Sequence, residues 1–158
     1  MPAVVRLENL EVGFRSTLLS IEKLEISSGE ILAVTGPSGI GKTSLLRTIS
    51  GLLRPISGLV QVDGVISPDR PRRGTIGYIP QKLGLVRHSS VWANVMLGSR
   101  AARSSSDSKE RAINSIAAMG LEEKKYESVK RLSGGQQRRV AIARTLAQRP
   151  KLILADEF

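Results

Sequence analysis

The feature that most constrains this chain is a glycine-rich octapeptide between a strand-like segment and a helix-like segment. It fits the pattern G-x-x-x-x-G-K-[ST] at every fixed position. Its residues are Gly36, Pro37, Ser38, Gly39, Ile40, Gly41, Lys42 and Thr43. The apolar run at residues 31–35 predicts a buried, parallel strand, and helical spacing begins at Lys42. The sequence therefore predicts strand, loop and helix in that order.

The residue types in this loop suit the binding of phosphate groups. Glycine lets the backbone approach oxygen atoms closely and turn its N–H groups toward them, and the start of a helix adds partial positive charge. Lys42 is expected to hold the β- and γ-phosphates of a nucleotide, and the Thr43 hydroxyl to bind magnesium. Ser44 completes the candidate nucleotide-binding residues of this loop. The alternative is a glycine-rich turn with an exposed lysine.

A second candidate anion site lies at residues 132–136, where another helix is predicted to begin. Ser133 is a suitable N-cap, and Gln136 three residues later has the spacing of a capping box. Gly134 and Gly135 leave backbone N–H groups uncovered in the first turn, where a phosphate could bind. Ordinary helix capping without a ligand is the alternative for this segment.

Two acidic residues follow the apolar run near the end of the chain. Residues 151–155 predict a buried strand, and the carboxyl ends of such strands carry ligands in open α/β sheets. Asp156 could hold magnesium through water, and Glu157 could polarise an attacking water as a general base. A strand that runs into an acidic loop is the alternative.

The remaining sequence predicts a mixture of strands and helices. Residues 104–108 are rich in serine and are expected to form a mobile surface link. The predicted elements are strands at 3–9, 18–26 and 75–79, a hairpin at 59–66 around Asp63 and Gly64, and helices at 90–101, 109–121 and 133–149.

Composition limits the classes of protein that fit. The chain has 158 residues, no cysteine and 3% aromatic residues. Thiolate metal sites and disulfides are therefore excluded, and aromatic stacking platforms for single-stranded nucleic acid are disfavoured. The net charge of +10 favours anionic partners without selecting one. The absence of cysteine fits a reducing cytosol. No apolar run reaches membrane-spanning length, and the first residues lack the features of a secretory signal, so neither a membrane span nor export is expected.

The three motifs, in this order, resemble those of the ATP-binding cassette family. There they are the Walker A loop, the signature motif and the Walker B strand, and the resemblance extends from residue 3 to the last residue. It implies an α/β fold: a P-loop NTPase (RecA-like) core with an N-terminal antiparallel β subdomain and a helical signature subdomain at residues 82–132. The chain is then a single domain, residues 1–158, incomplete at the C-terminus.

The resemblance also gives roles to two residues outside these motifs. Gln81 resembles the glutamine of the family's Q-loop, which touches magnesium and senses the attached membrane subunit. Phe14 resembles the aromatic residue that stacks on adenine. From the residues alone, Gln81 is more simply a surface glutamine and Phe14 is equally suited to a hydrophobic core.

The family pattern further implies partners and a reaction. Two cassettes face each other head to tail, so that Ser133, Gly134 and Gly135 of one copy close over the γ-phosphate held by Lys42 of the other. The cofactors are ATP and Mg²⁺, and hydrolysis drives solute transport through separate permease subunits, with a solute-binding protein in importers. This places the chain in the cytoplasm, peripheral on the inner face of the membrane, with no nucleic acid expected. Residues 84–86, 91–98 and 153–157 look most like phosphonate-type importers.

The sequence departs from the family pattern at its end. It stops at Phe158, which stands where a proline usually follows the glutamate, and the D-loop, switch histidine and further strands are absent. One absent strand lies, in the family, between the Walker A and Walker B strands, so little independent turnover is expected. The alternatives are a non-catalytic nucleotide-binding remnant and a cassette ATPase that acts on nucleic acid or ribosomes.

Overall fold

A computed structural model describes residues 3–102 and 106–156, which divide into two units between Pro71 and Arg72. Strands and helices are mixed, which confirms the predicted α/β class. The predicted mobile link at 104–108 falls partly outside the described residues, as do Glu157 and Phe158. The elements are the strands β1 (Ala3–Gly13), β2 (Thr17–Ser27), β3 (Ser57–Val62), β4 (Val65–Ile66), β5 (Ile76–Ile79) and β6 (Leu152–Ala155), and the helices α1 (Lys42–Ile49), α2 (Val91–Arg100), α3 (Ser108–Ala118) and α4 (Gly134–Leu146).

The first unit contains an antiparallel sheet with the strand order β2-β1-β3-β4. The hairpin between β3 and β4 turns through Asp63 and Gly64, whose φ angles are 49° and 80°. Positive φ at both central residues is what a tight two-residue hairpin turn requires, and Asp-Gly is a preferred pair for it. This predicted hairpin is confirmed.

In β1, the alternation of side chains between the two faces of the sheet shifts by one residue, and the core of the first unit depends on this shift. Asn9 has a φ of 45°, and the β1–β3 register shifts between Glu8 and Glu11. The shift places side chains on both sides of it toward the same core. These fully buried side chains are Val5, Leu7, Leu10 and Val12. Helix α1 packs on β1 and β3, with Leu45 and Ile49 buried.

Residues 31–35 do not form the buried strand that their apolar run predicts. Ile31 is 97% exposed, and the segment belongs to neither of the sheets found among the described residues. A strand is held by hydrogen bonds to a neighbouring strand, and no described strand pairs with this segment. The prediction was wrong because an apolar run supplies the side chains of a buried strand but not the neighbour that buries it.

The second unit is built around a helical bundle. Helix α2 packs against α3 and α4, and α3 also packs against α4. Their apolar faces form one buried cluster: Val91, Val95, Met96, Ala112, Ile116, Leu121, Val129, Leu132, Val140, Ala143 and Ala147. The backbones of α2 and α4 approach so closely that a Cβ atom on Gly98 would lie 1.9 Å from the carbonyl oxygen of Arg144. Only glycine fits at this crossing.

The remaining elements of the second unit differ in detail from the prediction. Strand β6 pairs in parallel with β5, with Ile79 opposite Ala155, and its middle residue Ile153 is exposed. Helix α4 ends at Leu146 rather than at the residue before Pro150, because the following N–H groups of Gln148 and Arg149 bond to carbonyls three residues back, not four. Arg149 then leaves the helical direction with a left-handed φ of 50°. Within the described ranges, no helix has the length and apolar character needed to cross a membrane.

Candidate functional site

The predicted phosphate-binding loop closes around its own lysine. The ammonium group of Lys42 donates hydrogen bonds to the carbonyl oxygens of Gly36, at 2.7 Å, and Pro37, at 2.8 Å. Residues 36–40 are exposed, so this ring of backbone faces solvent. A positive charge therefore lies in an accessible loop, where an anion can reach it.

The N-terminus of α1 is left open toward this loop. Its N-cap, Gly41, has a φ of 107°, makes no side-chain cap, and is followed by no acidic residue in the first turn. A Cβ atom on Gly41 would lie 3.3 Å from Cβ of Leu18 and 3.4 Å from Cβ of Leu19. The position therefore favours glycine both by its positive φ and by the lack of space for a side chain. Uncapped N–H groups and the helix dipole together make this terminus suitable for an anion.

The groups predicted to hold magnesium include the hydroxyl of Thr43 and the carboxylate of Asp156. Thr43 is half-buried on the first turn of α1, and Ser44 beside it is buried. Asp156 follows β6 and is 5% exposed. Hydroxyl and carboxylate oxygens are ligands that suit Mg²⁺, which usually keeps several waters as well. Each of these oxygens is therefore of a kind that suits the metal.

The second helix start forms the predicted capping box. The Ser133 hydroxyl accepts a hydrogen bond of 3.2 Å from the Gln136 N–H, and the Gln136 side chain accepts one of 2.9 Å from the Ser133 N–H. Gly134 and Gly135 are exposed, and no described atom lies within 4 Å of where their Cβ atoms would be. Packing among the described residues thus does not require glycine here, whereas close approach of a phosphate does.

The parallel pair β5–β6 brings two candidate residues to the same end of the strands. The Asp156 N–H donates a 2.9 Å hydrogen bond to the Ile79 carbonyl, and the Tyr78 hydroxyl lies 3.5 Å from Asp156 Oδ2. Gln81 is exposed just after β5. Glu157, the predicted general base, lies outside the described residues, so its role stays a prediction.

Phe14 lies in the turn between β1 and β2. Its side chain is 67% exposed, which excludes the alternative that it serves the core. An exposed aromatic ring is available to stack on a planar ligand. Its predicted contact with adenine stays a prediction.

Sequence reasoning missed two residues that hold the loop after Gln81. Arg144 of α4 donates to the carbonyls of Leu83 and Gly84, and the buried amide of Asn94 bonds to the backbone of Val86. Desolvation by partial burial lowers the pKa of Arg144 below its ordinary value, because it disfavours the charged guanidinium. The Arg144 bonds span up to 61 positions, and no short motif indicates them.

A glycine-rich loop at a helix start, a second glycine-bearing helix start and an acid after a parallel strand are typical of the P-loop class of nucleotide-binding proteins. Comparison with known proteins narrows this class. The sequence profile described as ABC transporter matches residues 19–158. The chain belongs to the ABC transporter family.

Individual relatives agree with this membership. The phosphonates import ATP-binding protein PhnC 1 of Pseudomonas aeruginosa (strain UCBPP-PA14) is 40% identical, over 99% of this chain and 64% of that protein. The cassette MJ0796, solved as a dimer in a post-hydrolysis state bound to ADP and Pi, is 34% identical with a TM-score of 0.81, over 96% of this chain and 73% of that one. The structure of cbiO1 from Clostridium perfringens, part of the ABC transporter complex cbiONQ, has a TM-score of 0.82 at 27% identity, over 99% of this chain and 66% of that one. The chain thus spans less than two thirds of the length of PhnC 1.

Proposed function

We propose that this chain binds Mg²⁺–ATP and acts as the ATP-hydrolysing cassette of a membrane transporter. The observation that carries the proposal is the loop from Gly36 to Thr43, where the Lys42 ammonium lies in a ring of backbone at the uncapped start of α1. Backbone N–H groups, a helix dipole and a lysine that converge at one exposed place are the elements of a triphosphate site.

Different residues are proposed to bind the phosphates, to bind the metal and to act as the general base. Lys42 and the loop N–H groups hold the phosphates, and Thr43 and Asp156 would hold the metal together with Gln81. The metal, when bound, would neutralise part of the phosphate charge. Glu157 is the proposed general base that takes a proton from the attacking water.

The second helix start is proposed to complete the site of another copy. Gly134 and Gly135 keep the first turn of α4 open, and their exposed backbone is available to the γ-phosphate of a facing cassette. The related cassette MJ0796 was solved as a dimer, which supports the pairing of two cassettes. Each copy would then need the partner's Ser133 to reach full activity.

The membrane subunits are proposed to be separate chains. The relative PhnC 1 is named as an ATP-binding protein of phosphonate import, and cbiO1 is described as part of a transporter complex. By analogy this chain works at the inner face of the membrane, beside permease subunits and a solute-binding protein, with a phosphonate-like solute. Copurification with a permease supports this assignment, and copurification with ribosomes or DNA contradicts it.

Titration of the 158-residue chain with a fluorescent ATP analogue tests the binding step, with Mg²⁺ or with EDTA. We expect saturable, Mg²⁺-enhanced binding and a loss of about tenfold or more in affinity for Lys42→Ala, since a charge-assisted contact is removed. Lys109→Ala is the matched control, because Lys109 is an exposed lysine on α3 and its loss changes the net charge equally. Equal affinity of the two variants would contradict the proposed function.

A further inference from the structure

The loop that follows Gln81 is held from one side by a half-buried arginine. The Arg144 guanidinium donates two hydrogen bonds of 2.7 Å, one to the Leu83 carbonyl and one to the Gly84 carbonyl. Among the described residues, no acidic side chain forms an ion pair with Arg144. This cation therefore directs its donors to the loop backbone, through short, charge-assisted bonds that offset part of the cost of its burial.

The other end of the same loop is held by a buried amide on α2. Asn94 is 0% exposed; its Oδ1 accepts a 2.8 Å hydrogen bond from the Val86 N–H, and its Nδ2 donates one of 3.1 Å to the Val86 carbonyl. Residues 83–86 are thus fixed at both ends. Gln81 and Lys82 lie exposed between this fixed segment and the end of β5, so little chain remains to alter where Gln81 lies.

The two helices that hold the loop are themselves in direct contact. Gly98 of α2 lies against the backbone of Arg144, where a Cβ atom would be 1.9 Å from the carbonyl oxygen. Arg144 also belongs to the helix whose first turn carries Gly134 and Gly135. At 1.5 Å per residue, this first turn is about 15 Å from Arg144 along a continuous helix. A displacement of α4 therefore carries the loop with it.

We propose that Arg144 is a positioning residue that sets the place of Gln81 by fixing the carbonyls of Leu83 and Gly84. Through Arg144, the helix that starts at the second anion site is tied to the loop that carries the candidate metal-contacting glutamine. The inference rests on the proposed function, because it assigns to Arg144 an effect on Mg²⁺–ATP that acts through Gln81.

Hydrogen exchange tests whether Arg144 holds the loop, with no nucleotide present. In Arg144→Ala we expect the amides of residues 82–86 to exchange about tenfold faster or more, the factor for losing a charge-assisted hydrogen bond. Arg139→Ala is the matched control, since Arg139 lies on the same helix and donates to a different carbonyl, that of Met119, at 3.2 Å. Unchanged exchange at residues 82–86 overturns the proposal. If Arg144→Ala fails to fold, Arg144→Lys replaces it, with an intermediate increase expected.

A double-mutant cycle tests whether Arg144 acts through Gln81. The readout is the ratio of the ATP affinity in Mg²⁺ to the ATP affinity in EDTA. A general loss of stability lowers both affinities and leaves their ratio unchanged. We expect Gln81→Ala and Arg144→Ala each to lower this ratio, Arg144→Lys to restore it in part, and Arg144→Ala to have no further effect when Gln81 is already alanine. Additive effects overturn the proposal. An unchanged ratio in Gln81→Ala also overturns the proposal, because Gln81 would then have no effect on Mg²⁺. The proposed function is judged separately, by whether the parent chain binds Mg²⁺–ATP.

Discussion

The ammonium nitrogen of Lys42 lies 2.7 Å from the carbonyl oxygen of Gly36, so the backbone of the loop binds the lysine that follows it. Carbonyl oxygens are neutral acceptors, whereas phosphate oxygens are charged and form stronger hydrogen bonds. A nucleotide can thus replace Gly36 and Pro37 as the acceptors without leaving the lysine unsatisfied. The same two hydrogen bonds join Lys42 to the first residues of the exposed loop.

Lys42→Arg should weaken Mg²⁺–ATP binding by about tenfold or more, although the charge is unchanged. The planar guanidinium is larger than an ammonium group and differs in the directions of its donors, so it does not fit the same small ring of backbone. Isothermal titration of both proteins measures the difference. Affinity equal to that of the parent chain would show that charge alone suffices.

Gly41→Ala should destabilise the chain more than Gly39→Ala does. Both glycines have positive φ, 107° and 82°, but only at Gly41 does an added Cβ meet neighbours, at 3.3 Å from Leu18 and 3.4 Å from Leu19. We expect a loss of about 2–4 kcal/mol in the free energy of unfolding for Gly41→Ala and about 1–2 kcal/mol for Gly39→Ala. Urea unfolding followed by circular dichroism measures both, and the reverse order would contradict the loop geometry.

Thr43→Ala should reduce the enhancement of ATP binding by Mg²⁺, while Thr43→Ser should preserve it. Serine keeps the hydroxyl oxygen that would bind the metal, and alanine removes it. The measurement compares ATP affinity in Mg²⁺ with that in EDTA for the two variants. An identical Mg²⁺ enhancement in Thr43→Ala would exclude the hydroxyl as a ligand.

Ser133→Ala and Ser133→Asp should separate helix capping from phosphate binding. Alanine removes the cap that bonds to the Gln136 N–H, at a cost of about 0.5–2 kcal/mol, whereas aspartate is itself a good N-cap. The aspartate carboxylate would repel a γ-phosphate at this helix start. We therefore expect Ser133→Asp to unfold like the parent chain yet to lose ATP-dependent dimerisation, measured by light scattering. Normal ATP-dependent dimerisation in Ser133→Asp would contradict a phosphate site here.

Asn94→Ala should destabilise the chain by about 2–4 kcal/mol, because it removes a fully buried amide together with its hydrogen bonds to the Val86 N–H and to the carbonyls of Val86 and Ser90. Asn114→Ala is the matched control, since Asn114 is exposed on α3 and we expect its loss to cost less than about 0.5 kcal/mol. Thermal unfolding of both variants measures the difference. Similar melting temperatures for the two would show that Asn94 does not hold the loop.

Local signals explain what the sequence predicts well. The Asp63-Gly64 turn, the Ser133–Gln136 capping box and the glycine-rich loop before Lys42 each depend on a few adjacent residues, and the structure forms all of them. Such features follow from backbone conformations and short-range hydrogen bonds.

Long-range pairing explains what the sequence does not predict. The strand expected at residues 31–35 needed a neighbour that no local pattern could supply, and the described residues give it none. The Arg144 contacts to Leu83 and Gly84 likewise depend on how α4 packs, which residue spacing does not reveal. Membership of the family, in contrast, needed only the order of the motifs.

The exposed segment at residues 31–35 has a consequence for handling the protein. Its residues are uncharged, without proline and include three β-branched side chains, a composition that favours intermolecular β-pairing. Solutions of the chain should therefore lose material to aggregates as concentration rises. Val34→Lys would place a charge in this aggregation-prone segment and should raise the solubility of the chain.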